Sequence, residues 1–134
     1  MRRAARLLPA ALAALLAGCA ACPPGQAPAQ VAELLFGRAL PGGGEVAEAA
    51  WQDFLAASVT PAFPDGLTVQ DATGQWRGAD GTVLREPAKR LLLVLPGATA
   101  DEAAARVAPL AEAYRLRFRQ ESVLRLQYPA CIAF

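Results

Sequence analysis

The stretch LTVQDATGQWRGADGTVLREPAKRLLLVL, residues 67–95, decides the fold of this chain. Its centre, Gly78-Ala79-Asp80-Gly81, gathers residues that tolerate positive φ. The segments on either side, Leu67 to Arg77 and Thr82 to Leu95, therefore predict one long antiparallel hairpin. Leu67 and Val69 alternate with Thr68 and Gln70, the period of a strand with one buried face, while Leu91 to Leu95 is a continuous apolar run suited to an interior strand. A register centred on the Ala79-Asp80 step puts Asp71 near Lys89 and Arg90, and Thr73 opposite Glu86. Pro87 has no N–H to give the ladder, so a bulge or a sheet edge is expected there, with the tip beyond it projecting from the sheet.

Upstream of the hairpin, Val31 to Gly37 (VAELLFG) reads as a short buried strand. The loop Pro41-Gly42-Gly43-Gly44 that follows lacks the Gly-Lys-Ser/Thr of a phosphate-binding loop, since Gly44 leads into Glu45. Ala47 to about Val59 places Ala47, Trp51, Phe54, Leu55 and Val59 on one face, an amphipathic helix whose stop is marked by Thr60-Pro61, before a turn at Phe63-Pro64-Asp65-Gly66. An aromatic on such a stripe, Trp51 here, belongs to a core. Downstream, Thr99 and Glu102 have capping-box spacing, and Ala103, Val107, Leu110, Ala111, Tyr114 and Phe118 share the face of a second helix running to Phe118. Pro109 inside it predicts a kink or a break near residues 105–109. Ser122 to Tyr128 alternates Leu124, Leu126 and Tyr128 against Val123, Arg125 and Gln127 and makes a last strand, extended past Pro129 towards Phe134. The order β-α-β-β-α-β, with right-handed crossovers, gives an α+β fold of the ferredoxin-like kind: a four-stranded antiparallel sheet with two helices on one face.

The N-terminus reads as an export signal over residues 1–18. Arg2, Arg3 and Arg6 form its positive end and Leu7 to Ala17 its apolar run. The signal ends in Leu16-Ala17-Gly18-Cys19, which resembles the lipobox of bacterial lipoproteins, in which small residues precede the cut and the Cys thiol takes up a diacylglyceryl group. The expected lipidation site is Cys19, the partner a lipid bilayer, and the location the cell envelope. Ala20 in place of Asp favours the periplasmic face of the outer membrane over the inner membrane. Residues 19–30, rich in Ala, Pro, Gly and Gln, read as a flexible tether, and residues 31–134 as a single domain.

The 134 residues leave room for one core only. Cleavage of the signal leaves ten basic and twelve acidic residues, and aromatics are 7% of the chain, so nothing recommends a nucleic-acid partner. With no His in the chain, Ser-His-Asp and Cys-His catalysis and His-based metal or haem ligation are absent; no metal and no cofactor is expected. Beyond the anchor, Cys22 and Cys131 either pair in a disulfide or stay as free thiols. A bridge would hold the domain against the membrane, because Cys22 lies three residues past the anchor, and that position favours free thiols.

Several segments together resemble one family: Leu35-Phe36-Gly37, Trp51-Gln52-Asp53-Phe54, Phe63-Pro64-Asp65-Gly66-Leu67-Thr68-Val69, Gly74-Gln75-Trp76-Arg77, Arg85-Glu86-Pro87-Ala88-Lys89, Tyr114-Arg115 and Phe118-Arg119-Gln120-Glu121-Ser122-Val123-Leu124. The chain looks like the bacterial putative-lipoprotein family labelled domain of unknown function 3574, from about Val31 to Phe134. The resemblance implies a small exported domain without assigned biochemistry. The chain departs from the family pattern at Ala47, where a helix-capping residue is usual, and at Ala88, where Ser is usual.

The polar residues that could meet a ligand or partner gather on the hairpin: Trp76 as a stacking platform, Arg77 and Arg85 as anion-binding forks near Glu86, and Lys89. Cross-strand salt bridges and an aromatic pinning the hairpin account for the same residues structurally. Two functional classes follow. One is a non-catalytic binding or interaction module of the envelope, which holds a protein or small molecule on the open sheet face or the projecting hairpin; pairing of two copies through that face would be one form of it. The other is a small enzyme resembling the dimeric α+β barrel oxygenases, whose sheet-face pocket would gather Arg77, Arg85 or Tyr114.

Overall fold

In the computed structural model the described residues are 21–134; the expected signal segment and Cys19 lie outside the described residues. The hairpin is β2 (Thr68–Arg77) and β3 (Val83–Pro96). Ahead of it come β1 (Ala27–Gly37), α1 (Glu48–Phe54), a π-helical stretch (Leu55–Val59) and α2 (Thr60–Ala62), and after it α3 (Ala100–Phe118) and β4 (Leu124–Ile132). The strands form one antiparallel sheet in the order β2-β3-β1-β4, the ferredoxin-like α+β arrangement.

The hairpin turn spans Gly78–Thr82, closed by Gly78 N–H donating to the Thr82 carbonyl at 2.9 Å and by Thr82 N–H donating to Asp80 Oδ1 at 2.9 Å. The odd loop length centres the register on Asp80, so Asp71 faces Lys89 as expected, but Glu86 faces Gly74 rather than Thr73. Pro87 causes no bulge, for β2 pairs with β3 without interruption. Its carbonyl accepts from Arg38 N–H at 2.9 Å on the β1 side, just beyond the last β1–β3 pair, Gly37 with Ala88. Its missing N–H therefore points past the end of β1, where the ladder asks for no donor, and the hairpin continues alone.

Three boundaries differ from the sequence reading. β1 starts at Ala27 rather than Val31, so the stretch read as tether is partly strand; pairing with both β3 and β4 fixes residues whose composition alone would leave them loose. Helical structure continues through Thr60-Pro61 to Ala62. The widened π-helical turn before it, with Thr60 N–H reaching Leu55 O, moves the Ala57 carbonyl from the place where the Pro61 ring would clash. α3 runs through Pro109 without a break. Pro109 and Ala105 both face solvent, so the carbonyl that Pro109 leaves unpaired meets water, while the opposite face packs Ala103, Val107, Leu110, Ala111 and Tyr114. The capping box at Thr99 and Glu102 is present, and α3 ends at Arg119 in the left-handed region, φ 53°.

The core lies between the helices and one face of the sheet. Ala32, Leu34 and Phe36 of β1 and Leu91, Leu93 and Leu95 of β3 meet Trp51, Phe54, Val59, Val107, Leu110 and Tyr114. Phe36 stacks within 4.7 Å of Tyr114 and 5.3 Å of Trp51, tilted contacts that aromatic rings favour. Trp51 is the core residue the periodicity predicts, and its buried Nε1–H has no partner among the described residues.

Candidate functional site

Residues paired across a sheet share a face, so the pairs Leu34–Leu91 and Ala32–Leu93 mark the helix side. The intervening pairs mark the open side: Leu35–Leu124 and Glu33–Leu126 between β1 and β4, Gly74–Glu86 and Ala72–Ala88 within the hairpin. The β4 edge of this face carries the exposed Leu124, Leu126 and Tyr128. Its centre is polar. Arg90 donates from Nε to Glu33 Oε2 at 2.7 Å and from a terminal nitrogen to Gln70 at 2.9 Å, and Tyr128 donates its hydroxyl to Glu33 Oε1 at 2.6 Å. The Arg90 hydrogen bond, then that of Tyr128, holds the Glu33 carboxyl below the usual carboxylate range, and the same contact raises Tyr128.

The second constellation sits where β1 ends. Glu86, 7% exposed, accepts from Trp76 Nε1–H at 2.8 Å through Oε1 and from Ala39 N–H at 2.7 Å through Oε2. Both donors are neutral, and among the described residues no cation pairs with Glu86. The neighbouring Arg38 is engaged elsewhere, with Val46 O, Glu45 and Glu48. Two glycines make room for this carboxylate. A Cβ on Gly37 would lie 2.5 Å from Glu86 Oε1, and the φ of Gly37 is not positive, so the position demands glycine for space rather than for conformation. Gly74, directly opposite Glu86, leaves the sheet surface bare. The result is a hollow of about 190 Å³ between Leu35, Trp76, Glu86, Ala88, Glu121 and Leu124, without Lys or Arg in its lining. It adjoins a second hollow that shares Trp76, Glu86, Gln120 and Glu121 with it and is bounded by the Gly42–Gly44 loop and Arg119. Gln120 braces the rim by donating to the Ala39 carbonyl at 2.8 Å.

Of the five hairpin residues picked out by sequence, Trp76 and Glu86 come together. Arg77, Arg85 and Lys89 point to the other face of the hairpin, because odd and even positions of a strand diverge. Arg77 donates to the Gly81 carbonyl at 2.7 Å, and Arg85 to Gln75 at 2.8 Å, both exposed; neither forms a fork near Glu86. Lys89 is buried on the helix side, 2.6 Å from Asp71 and 2.8 Å from Glu48. Burial opposes its charge, but the hydrogen bonds Lys89 donates to Asp71 and Glu48 outweigh it and its pKa is raised. Tyr114 is a core residue whose hydroxyl donates to the Gly37 carbonyl at 2.9 Å, and burial raises its pKa. Cys22 and Cys131 are joined in a disulfide, the alternative that position disfavoured. Pairing of Pro28 with Cys131 brings the chain before β1 alongside β4, a proximity that sequence spacing does not show. The Glu33–Arg90–Tyr128 cluster and the glycines at 37 and 74 are the parts of this face that sequence reasoning missed. Among the described residues no group of His, Cys, Asp and Glu is placed to hold a metal ion, and no helix is long and apolar enough to cross a membrane.

A larger hollow of about 360 Å³ lies at the other end of the sheet, between Phe63, Leu67, Leu92 and Phe134. Its one cation, Arg106, is held 4.7 Å over the Phe63 ring and donates to the Ala62 carbonyl.

Fold and site together define a ferredoxin-like domain whose uncovered sheet face carries a small carboxylate-bearing pocket. The chain belongs to the family described as protein of unknown function (DUF3574), whose model matches residues 31–134. Ala88 lines the pocket. No curated protein matches the sequence. Among solved structures, a phage SAM lyase in complex with S-methyl-5'-thioadenosine is similar at 17% identity and TM-score 0.62, over 82% of this chain and 91% of that one. The same lyase in its apo state gives TM-score 0.57 at 16% identity, with the same coverage. CutA from Synechococcus elongatus, in complex with Bis-Tris, is 10% identical with TM-score 0.47, over 78% of this chain and 84% of that one. The lyase likeness is one of fold.

Proposed function

We propose that this protein is a lipid-anchored binding module of the cell envelope, held through acylated Cys19, whose ligand or partner meets the open sheet face at the Trp76–Glu86 pocket. The observation that carries the binding role is Glu86: a carboxylate kept out of water, in a hollow that two glycines leave empty, on a face that no helix among the described residues covers. Stability alone does not ask for this, since a buried charge without a counter-charge is costly. The anchor rests on Leu16-Ala17-Gly18-Cys19, and the disulfide supports an oriented display. Cys22 lies three positions past Cys19, about 10 Å of extended chain, so the Cys131 end of β4 stays near the lipid surface. From the Pro28–Cys131 pair to the Leu35–Leu124 pair β1 advances seven residues, about 23 Å at 3.3 Å each, which carries the pocket away from that surface. The outer membrane's periplasmic face is the expected location.

Two experiments test this reading. Cys19→Ala should move the protein from the membrane to the soluble fraction; continued retention contradicts the anchor. Native mass spectrometry of protein gently released from the envelope should show a bound species that Gly74→Val loses, since a side chain at 74 fills the hollow where an added Cβ finds only Glu86 O, at 4.0 Å. Equal occupancy in the two proteins contradicts the pocket.

A further inference from the structure

We infer that the pocket between Trp76 and Glu86 takes a small organic cation of the alkylammonium class; this rests on the reading of the open face as a binding site. Three features of the pocket carry it. The Glu86 carboxyl is buried, and its two hydrogen-bond donors, Trp76 Nε1–H and Ala39 N–H, are neutral, so neither brings a counter-charge to it. Each of its oxygens accepts one of these bonds and retains a further lone pair. Lining supplies the second feature: Leu35, Ala88, Leu124 and the half-buried Trp76 make an apolar wall, and the charged residues that line the pocket, Glu86 and Glu121, are both acidic. Arg119 lines the adjoining hollow, which shares Trp76, Glu86, Gln120 and Glu121 with the pocket. The third is size. About 190 Å³ admits a compact head group rather than a peptide or a polymer. Alkylammonium groups suit such a place better than a metal ion, which would need several oxygen ligands on one point, or a strongly hydrated amine: their methyl groups gain from apolar walls and an indole ring while the charge meets the carboxylate.

Choline and 3,3-dimethylbutan-1-ol have the same shape and differ in charge, so the pair isolates the claim. Both are titrated into the purified protein with its disulfide intact, followed by calorimetry and by the indole N–H resonances of Trp51 and Trp76. Choline is expected to bind at least tenfold more tightly than the alcohol and to shift the Trp76 resonance while that of Trp51 stays. Glu86→Gln, checked for an unchanged near-ultraviolet circular dichroism spectrum, should bring the two affinities together. Equal affinity of wild type for both compounds overturns the cation claim and leaves the pocket standing. Binding of neither overturns the cation claim, with the pocket itself then judged by the Gly74→Val comparison. A choline preference that survives Glu86→Gln also overturns the assignment. The wild-type comparison decides by itself if the variant does not fold.

Discussion

Substituting Gly37 by Ala tests the packing of the candidate pocket directly. The new Cβ would lie 2.5 Å from Glu86 Oε1, 2.8 Å from its Cδ and 2.9 Å from Oε2, where ordinary contact begins at 3.4 Å. The carboxylate must retreat by roughly an ångström, and with the rest of Glu86 fixed in β3 it cannot keep both the Trp76 and the Ala39 hydrogen bonds. Loss of one bond to a charged group costs about 1.5–3 kcal/mol, against which the stiffer unfolded chain of Ala returns about 0.4–1 kcal/mol, because the Gly37 backbone suits Ala. A net loss of about 1–2 kcal/mol corresponds to a fall in Tm of about 5–10 °C for a domain of this size. Thermal and urea unfolding measure it, and Glu86→Ala supplies the control. In that background the added methyl has no carboxylate to displace, so Gly37→Ala should be neutral or slightly stabilising. Equal effects of Gly37→Ala in the two backgrounds, or stabilisation in the wild type, would refute the reasoning.

Three further outcomes are expected. Replacing Cys22 and Cys131 together by Ser removes a cross-link between residues 109 apart and should lower unfolding free energy by about 2–5 kcal/mol in urea; a change near zero contradicts the structural role of the bridge. Ala47 caps α1 with extended backbone and no side-chain bond, so Ala47→Ser should add about 0.5–1 kcal/mol, and no gain contradicts the cap geometry. Glu33 has its folded pKa depressed first by the Arg90 hydrogen bond and then by that of Tyr128, so its contribution is present above the ordinary carboxylate range and is lost as pH falls through the folded value. Urea midpoints between pH 7 and pH 2.5 should therefore fall further for the wild type than for Glu33→Gln, and parallel profiles contradict the assignment.

The architecture was legible because periodicity is local. The alternation at Leu67–Gln70, the run Leu91–Leu95 and the stripe from Ala103 to Tyr114 each report burial on their own. Element ends were harder, since β1 borrows its first residues from pairing with β3 and β4, and Pro61 and Pro109 are accommodated by tertiary packing and solvent rather than by anything beside them in sequence. The site was half legible. Trp76 and Glu86 could be picked out as chemically able, and the period of two already separates Glu86 from Arg85 and Trp76 from Arg77, a rule that would have dissolved the expected fork. The partners that matter to Glu86 lie across β1, at Gly37 and Ala39, and Glu33 meets Tyr128 only through the β1–β4 pairing. Neither juxtaposition has a signature within a single segment. The disulfide was disfavoured because Cys22 lies three residues past the anchor, and nothing between Cys22 and Cys131 says that the chain before β1 runs beside the end of β4.

A ligand seated on the open sheet face between Trp76 and Glu86 would be reported by one of the two tryptophans and not by the other. Protein labelled with nitrogen-15 gives one indole N–H signal from the core, Trp51, and one from the pocket, Trp76 bonded to Glu86. Titration with the small-molecule fraction of the native envelope should move the Trp76 signal to saturation and leave Trp51 in place, with no response in Gly74→Val. A Trp76 signal that stays fixed while resonances elsewhere on the domain shift would contradict the account.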